Sequence, residues 1–209
     1  MIRRHALALG IAAALSPMLP ALALDRALTP DEQQLIGEIN AHNSAIRTMV
    51  GRFLQIDTQG GRTEGTFFLE RPDKVAFRYA PPSREEIVSQ GRGFYVLDRR
   101  EETYYAYPQD SIPLRQFLGS QINLLNGNVL DVTTTDGYLT LTLIEETVAG
   151  TVQVSLIFDT ETKDLAQWTL VEPSGAELTF SLYDVQKDVQ IPPAFFSIPA
   201  TFSARDPAR

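Results

Sequence analysis

The sequence predicts a mainly β protein in which a large antiparallel sheet curls into a barrel or half-barrel and helical segments cover one opening or face. Three observations support this fold class. Runs of alternating apolar and polar side chains recur from Phe53 to Tyr183, short polar turns separate them, and helical patterns occur only near the start and in the middle of the chain. Short connections between successive strands favour an antiparallel meander.

Residues 1–23 have the pattern of a secretory signal peptide. Arg3 and Arg4 precede an apolar run, and Ala21-Leu22-Ala23 is a small-x-small cleavage pattern. We therefore expect export, cleavage near Ala23 and a single domain over residues 24–209. Cysteine is absent, so the mature chain has neither disulfides nor the lipidated cysteine of a bacterial lipoprotein, and we expect it to be free in its compartment.

The composition is that of a globular protein with an acidic surface. The 209 residues are 44% apolar and 21% charged, and the formal net charge is −8. An acidic chain without a basic cluster has no electrostatic reason to bind nucleic acid or an anionic lipid surface. We therefore expect no nucleic-acid partner.

The first predicted element of the mature chain is a helix that begins after Thr29. Thr29 is a suitable N-cap, Pro30 suits the first helical position, and Glu32 completes a capping box. The helix is expected to end before Gly51. An apolar stripe follows at helical spacing and consists of Leu35, Ile36, Ile39, Asn43 and Ile46.

Alternation with a period of two then predicts about ten strands. The candidates are residues 53–56, 66–70, 74–79, 86–89, 93–98, 103–107, 129–135, 138–145, 151–158, 167–172 and 176–183. Between the sixth and seventh candidates, Pro113–Leu118 and Ile122–Leu125 predict one or two short helices. A curled sheet with one apolar face and a helical cover either packs solid or leaves a lipophilic cavity, and the pattern alone allows both.

The sequence offers no combination of residues that is typical of a catalytic site. His42 is the only histidine after the leader and lies in the predicted helix, where a structural or solvent-facing role is typical. Motifs for a nucleophile elbow, a zinc protease or a phosphate loop do not occur. Acidic pairs at strand ends, such as Glu145-Glu146, point to opposite faces and are interpreted as solvated surface. We therefore expect no enzymatic activity, no metal site and no cofactor.

One charged residue does not fit the strand pattern. In the stretch GTFFLERPDKVAFRYAPP, the period of two places Arg71 on the same face as the apolar Leu69. Pro72 removes a ladder donor and predicts a bend, which would leave Arg71 at the rim of an apolar face. Composition alone favours a surface ion pair with Glu70, Asp73 or a carboxylate of the helical cover.

That stretch, followed by Ile87-Val88-Ser89-Gln90-Gly91 and Phe94-Tyr95-Val96-Leu97-Asp98, resembles the LolA family of periplasmic lipoprotein carriers. The most specific feature is Arg71-Pro72 between two apolar strands, and further similarities extend to Phe195–Pro199. The resemblance implies an unclosed antiparallel β-barrel with an apolar concave cavity under a helical lid. The lid would consist of the first helix and the mid-chain helices.

The resemblance also implies site residues. Arg71 would latch the lid by hydrogen bonds to main-chain carbonyls, which we expect among residues 112–127 or in the first helix. The lid is expected to include Leu35, Ile39, Leu114 and Leu118. The wall of the acyl-chain cavity is expected to comprise Phe67, Leu69, Val75, Phe77, Tyr79, Phe94 and Val96.

The function implied by the resemblance is that of a monomeric periplasmic chaperone. It would accept acylated lipoproteins from an inner-membrane ABC lipoprotein-release complex and shield their acyl chains. Delivery would be to an outer-membrane acceptor or to the outer membrane itself. Two alternatives use the same fold: a carrier of another lipid, and a regulatory domain that binds a protein partner without transport.

Overall fold

One sheet of twelve strands dominates the part of the chain that the computed structural model describes, residues 26–109, 112–147 and 150–205. The predicted signal peptide lies outside these residues. The strands are β1 (Thr48–Asp57), β2 (Arg62–Glu70), β3 (Lys74–Tyr79), β4 (Glu85–Gln90), β5 (Gly93–Asp98), β6 (Thr103–Pro108), β7 (Asn128–Thr135), β8 (Tyr138–Thr147), β9 (Gly150–Asp159), β10 (Leu165–Val171), β11 (Glu177–Lys187) and β12 (Ser203–Arg205).

Two meanders meet in the middle of this sheet. The order across it is β12-β6-β5-β4-β3-β2-β1-β11-β10-β9-β8-β7. Strands β1–β6 and β7–β11 follow the chain, and the antiparallel pairing of β1 with β11 joins the two sets. β7 and β12 lie at opposite ends of the order and do not pair with each other. The sheet is therefore an unclosed barrel, and the predicted fold class is confirmed.

The single α-helix of the described residues, α1 (Pro30–Ala45), forms where the capping signals predicted it. Thr29 Oγ1 accepts a hydrogen bond from Glu32 N at 3.2 Å, and the Glu32 carboxylate accepts one from Thr29 N at 2.8 Å. These two bonds satisfy main-chain donors that the first helical turn leaves free. Ile36, Ile39 and Asn43 form the buried side of the helix.

The structure differs from the sequence prediction at several boundaries. α1 ends at Ala45, before Gly51 as expected, but β1 begins at Thr48 rather than at Phe53, because residues from Thr48 onward already pair with β2. The predicted mid-chain helices are 3-10 turns, Arg115–Leu118 and Leu124–Asn126. β12 was not predicted, because three exposed residues carry no periodic pattern, and it pairs with β6 in parallel rather than antiparallel.

Different parts of the chain cover the two faces of the sheet. Phe77 of β3 contacts Trp168 of β10, with ring centroids 6.1 Å apart, although β2, β1 and β11 lie between those strands. The face that carries these rings is therefore concave. α1 and residues 112–127, together called the lid from here on, cover that face. Residues 189–202, including the 3-10 turn Pro193–Phe196, pack on the other face.

The capping box of α1 should stabilise the folded protein. Thr29→Ala removes the side-chain acceptor and should lower the free energy of unfolding by about 1 kcal/mol, as N-cap losses do. Urea denaturation measures this change. Thr29→Ser keeps the hydroxyl and is the control, expected to unfold like the wild type. Equal stability of all three proteins would show that the cap does not stabilise α1.

Candidate functional site

Large apolar side chains line the concave face of β2 and β3. Phe67 lies opposite Phe77, and Leu69 lies opposite Val75. Of the residues predicted for the cavity wall, Phe67, Leu69, Val75 and Tyr79 are buried, and Phe77 is partly buried against them. The hydroxyl of Tyr79 donates to Gln55 Oε1 at 2.6 Å, and burial raises the pKa of this tyrosine.

Two predicted wall residues lie farther along the sheet. Phe94 faces Ser89, and Val96 faces Ile87, which places both on the same face as Phe77. Both side chains are half-buried rather than buried. They extend the apolar face toward β6, beyond the part where the rings are most closely packed.

Aromatic rings from several strands fill the interior of the sheet. Phe53 contacts Phe77 and Tyr79 edge-on, with centroids 5.3 and 5.1 Å apart, and Trp168 stacks on Phe180 at 4.7 Å. Such pairs contribute about 0.5–1.5 kcal/mol each beyond the burial of their area. Sequence analysis did not place Phe53, Trp168 and Phe180 in the wall, because only the long-range pairing of β1 with β11 brings them together.

The lid packs on both halves of the sheet. Ile36 and Ile39 of α1, with Leu124, pack against the buried leucines and valines of β7–β9. Leu118 instead packs on Leu69 and Val75. The four residues predicted for the lid are all in apolar contact with the sheet or with its core: Leu35, Ile39, Leu114 and Leu118.

Arg71 connects the sheet to both parts of the lid. The residue directly follows β2 and is 4% exposed. Its Nε donates to Phe117 O at 2.8 Å, and its Nη1 donates to Ile46 O at 2.7 Å. Phe117 lies in the range 112–127, and Ile46 is the residue that follows α1. One guanidinium therefore bridges the mid-chain segment and the end of the helix.

The surroundings of Arg71 correct two expectations. The side chain is buried rather than at a solvated rim, and in the described residues it forms no ion pair, since Glu70 binds Lys74 at 2.6 Å instead. Burial, with a smaller repulsion from Arg47, lowers the pKa of Arg71 to about 10. The group still carries its charge at neutral pH. The Ile46 carbonyl lies at the C-terminal end of α1, where the negative end of the helix dipole further stabilises that charge.

Hydrogen bonds also join α1 to the mid-chain segment. Ser44 Oγ accepts from Ile122 N at 2.8 Å, and Asn40 Oδ1 accepts from Leu124 N at 3.1 Å. Asn40 and Ser44 are four residues apart and so lie on one side of the helix. The two parts of the lid are therefore connected to each other as well as to the sheet.

A small opening lies between the C-terminal half of α1 and β11. Its volume is about 220 Å³. Both polar and apolar side chains line it, among them Asn43, Met49, Leu165, Leu182, Val185 and Lys187.

His42 has a structural partner next to this opening. Its Nε2 lies 2.6 Å from Asp164 Oδ1, and Lys187 Nζ binds the same carboxylate at 2.5 and 2.7 Å. These contacts tie α1 to the β9–β10 turn and to β11. Across residues 26–109, 112–147 and 150–205, no group of three or more His, Cys, Asp or Glu side chains is arranged to hold a metal ion.

Glu145 differs from its sequence-based interpretation. Its side chain is partly buried and accepts a hydrogen bond from Leu114 N at 2.8 Å, whereas Glu146 is exposed. The interpretation as solvated surface is therefore wrong for Glu145. The sequence pattern could not indicate this hydrogen bond, because the partner of Glu145 is a main-chain amide 31 residues away in the chain.

Fold and site together define a lidded, unclosed β-barrel with an apolar interior. The chain belongs to the family described as outer membrane lipoprotein carrier protein LolA, whose family model matches residues 44–199. The family membership predicted from Arg71-Pro72 and the strands around it is thus confirmed. In the described part of the chain, no helix has both the length and the apolar character that crossing a membrane requires.

Individual relatives are more distant. A protein of Alkalilimnicola ehrlichii described as outer-membrane lipoprotein carrier protein is 37% identical over 59 residues, which are 26% of this chain and 28% of that protein. A DUF1329 family protein from Desulfovibrio piger has a similar structure, with a TM-score of 0.51 at 10% identity over 78% of this chain and 95% of that one. An uncharacterized conserved protein from Thermus thermophilus has a TM-score of 0.50 at 7% identity over 83% and 99%. At these identities, the two structures support the fold alone.

The contacts of Arg71 predict the effect of its removal. Arg71→Leu leaves Phe117 O and Ile46 O without their charged donor, and a bond to a charged group contributes about 1.5–3 kcal/mol. We expect the variant to fold but to open its lid more often. Hydrogen exchange at the amides of Phe117, Ile122 and Leu124 measures that opening and should be faster than in the wild type.

The matched control is Arg52→Leu, which removes an exposed arginine of β1 that pairs with Glu64 at 3.2 Å. A surface ion pair contributes little, so lid exchange should not change in this variant. If the lid amides exchange as slowly in Arg71→Leu as in the wild type, Arg71 does not act as a latch.

Proposed function

We propose that this protein is a periplasmic carrier that shields the acyl chains of lipoproteins and takes them from the inner membrane to the outer membrane. The observation that carries the proposal is the buried Arg71, which holds a two-part lid over an apolar concave face through main-chain carbonyls. Membership of the LolA family supports the same ligand class.

The chemistry of the ligand explains the need for such a face. Transfer of an acyl chain out of a membrane costs about 0.8 kcal/mol per methylene, so a lipoprotein with several long chains does not cross water unaided. A carrier replaces the membrane with apolar side chains. The aromatic and aliphatic residues of β1–β3, β10 and β11 provide that environment.

The lid explains how such a ligand is released again. In the closed form its apolar side chains occupy the concave face. A ligand must therefore displace lid contacts, and the free energy of closure is subtracted from the free energy of ligand binding. This competition keeps the affinity low enough for delivery.

The partners follow from this cycle. The donor is an inner-membrane ABC complex that releases lipoproteins, and the recipient is an outer-membrane acceptor or the outer membrane itself. We propose that the carrier acts as a monomer in the periplasm, after cleavage of the signal peptide near Ala23.

A release assay tests this proposal. The purified mature protein is mixed with spheroplasts that display newly made, labelled lipoproteins and contain an active release complex. The expected result is a soluble complex of carrier and lipoprotein in wild type and in Arg52→Leu, with impaired turnover in Arg71→Leu. If no lipoprotein leaves the spheroplasts while a known carrier releases it in parallel, the proposal fails.

Mass spectrometry of material extracted from the purified protein distinguishes the alternatives. Acyl chains of lipoproteins agree with the proposal. A different membrane lipid in the extract, without lipoprotein release, would favour a carrier of that lipid. Absence of any bound lipid in a protein that also fails the release assay would favour a regulatory domain.

A further inference from the structure

A short piece of the lid is fixed at both ends to different parts of the sheet. Leu114 N donates to Glu145 Oε2 of β8 at 2.8 Å, and Phe117 O accepts from Arg71 Nε at 2.8 Å. We call Leu114–Phe117 the strap. Arg71 lies in the β2–β3 turn, so the two anchors belong to the two different meanders.

The strap is short compared with the path along the sheet. Between β2 and β8 the strand order contains β1, β11, β10 and β9. Four residues reach at most about 14 Å, so the anchors hold β8 and the β2–β3 turn close together across the concave face. An exchange of the lid for a ligand must release at least one of these anchors.

Glu145 has a fixed position in the sheet and is not fully exposed to solvent. Glu145 lies opposite Val152 in the β8–β9 register and is partly buried. Burial raises the pKa of its carboxyl group, while the Leu114 amide and the Gln116 side chain act in the opposite direction by hydrogen bonding. The two contacts with the strap offset part of the cost of burying the carboxylate.

The backbone of Leu114 also depends on this contact. Leu114 has a φ of 61°, in the left-handed region that residues with a side chain rarely adopt. Such a conformation persists only where surrounding contacts hold it. The side chain of Leu114 packs against the core under α1, and the Glu145 carboxylate holds its amide.

We propose that Glu145 is a further fastening point of the lid, a positioning residue that holds the strap on β8 while Arg71 holds it on the β2–β3 turn. The effect on ligand binding rests on the proposed carrier function. The effect of Glu145 on the opening of the lid does not depend on that proposed function.

Three substitutions of Glu145 test the fastening in the ligand-free mature protein. Glu145→Leu removes the acceptor, Glu145→Asp shortens the side chain so that its carboxylate no longer reaches Leu114 N, and Glu145→Gln keeps an acceptor oxygen. Hydrogen exchange at the Leu114 amide should become about tenfold faster or more in the first two variants, and it should stay close to the wild-type rate in Glu145→Gln.

Glu146→Leu is the matched control, because this neighbouring carboxylate binds only Thr151 Oγ1, at 2.9 Å, in the described residues. Its strap exchange should equal that of the wild type. If Glu145→Leu does not fold, the milder Glu145→Asp decides. Unchanged exchange in Glu145→Asp, or exchange in Glu145→Gln as fast as in Glu145→Asp, would overturn the proposal.

Binding of a synthetic diacylated lipopeptide links the strap to function. If only the open form binds the lipopeptide and the closed form dominates, the apparent Kd is inversely proportional to the population of the open form. A tenfold faster hydrogen exchange of the strap therefore predicts a roughly tenfold lower Kd. Faster exchange without any lipopeptide binding, in wild type and variants alike, would contradict the carrier function but leave the fastening in place. Unchanged exchange would refute the fastening whatever the binding result.

Discussion

The Arg71 guanidinium stays charged inside the protein only while the carbonyls of Phe117 and Ile46 accept its hydrogen bonds. A buried charge without partners would cost far more than the fold gains from it. Closure of the lid is therefore tied to satisfaction of this charge. When the lid opens, water replaces the carbonyls, so the net cost of opening is a few hydrogen bonds rather than an isolated ion, about 1.5–3 kcal/mol for each bond to the charged group. A latch of this kind favours the closed lid but still allows the lid to open.

The rest of the site depends on that balance. The concave face is rich in aromatic rings that contact one another edge-on or by stacking, and the lid covers it with leucine and isoleucine side chains. In these contacts the side chains of both the lid and the sheet are apolar, and hydrophobic contacts do not depend on direction. An acyl chain can therefore replace the apolar side chains of the lid without leaving a polar group unpaired. The specific polar bonds of the lid include those of Arg71 and Glu145, the bonds between α1 and the mid-chain segment, the bond from Asp73 N to Leu118 O, and the contact of His42 with Asp164. Movement of the lid is thus controlled by a few bonds at its edges.

Local signals predicted much of this structure. The capping box placed the start of α1, the period of two placed β1–β11, and the isolated charge in an apolar strand pattern pointed to Arg71. Other features depend on contacts between residues far apart in the chain. The pairing of β1 with β11 decides which rings meet Phe77, and nothing near Phe53 or Trp168 signals it. Glu145 looked like any acidic residue at a strand end, because its partner is the amide of Leu114. The start of β1 was predicted at Phe53 rather than at Thr48, because the pairing of residues 48–52 with β2 and β11 depends on strands that lie elsewhere in the chain.

A distance measurement between lid and sheet tests whether Arg71 latches the lid and whether a ligand displaces it. The chain has no cysteine, so Arg115→Cys on the strap and Arg62→Cys at the start of β2 accept exactly one spin label each. Electron paramagnetic resonance would then compare three samples: ligand-free protein, protein with diacylated lipopeptide, and ligand-free protein that also carries Arg71→Leu. A lid that Arg71 latches predicts one narrow distance distribution in the first sample, a shift to another distance in the second, and a mixture of both in the third. The same narrow distribution in all three samples would contradict a lid that Arg71 latches and a ligand displaces.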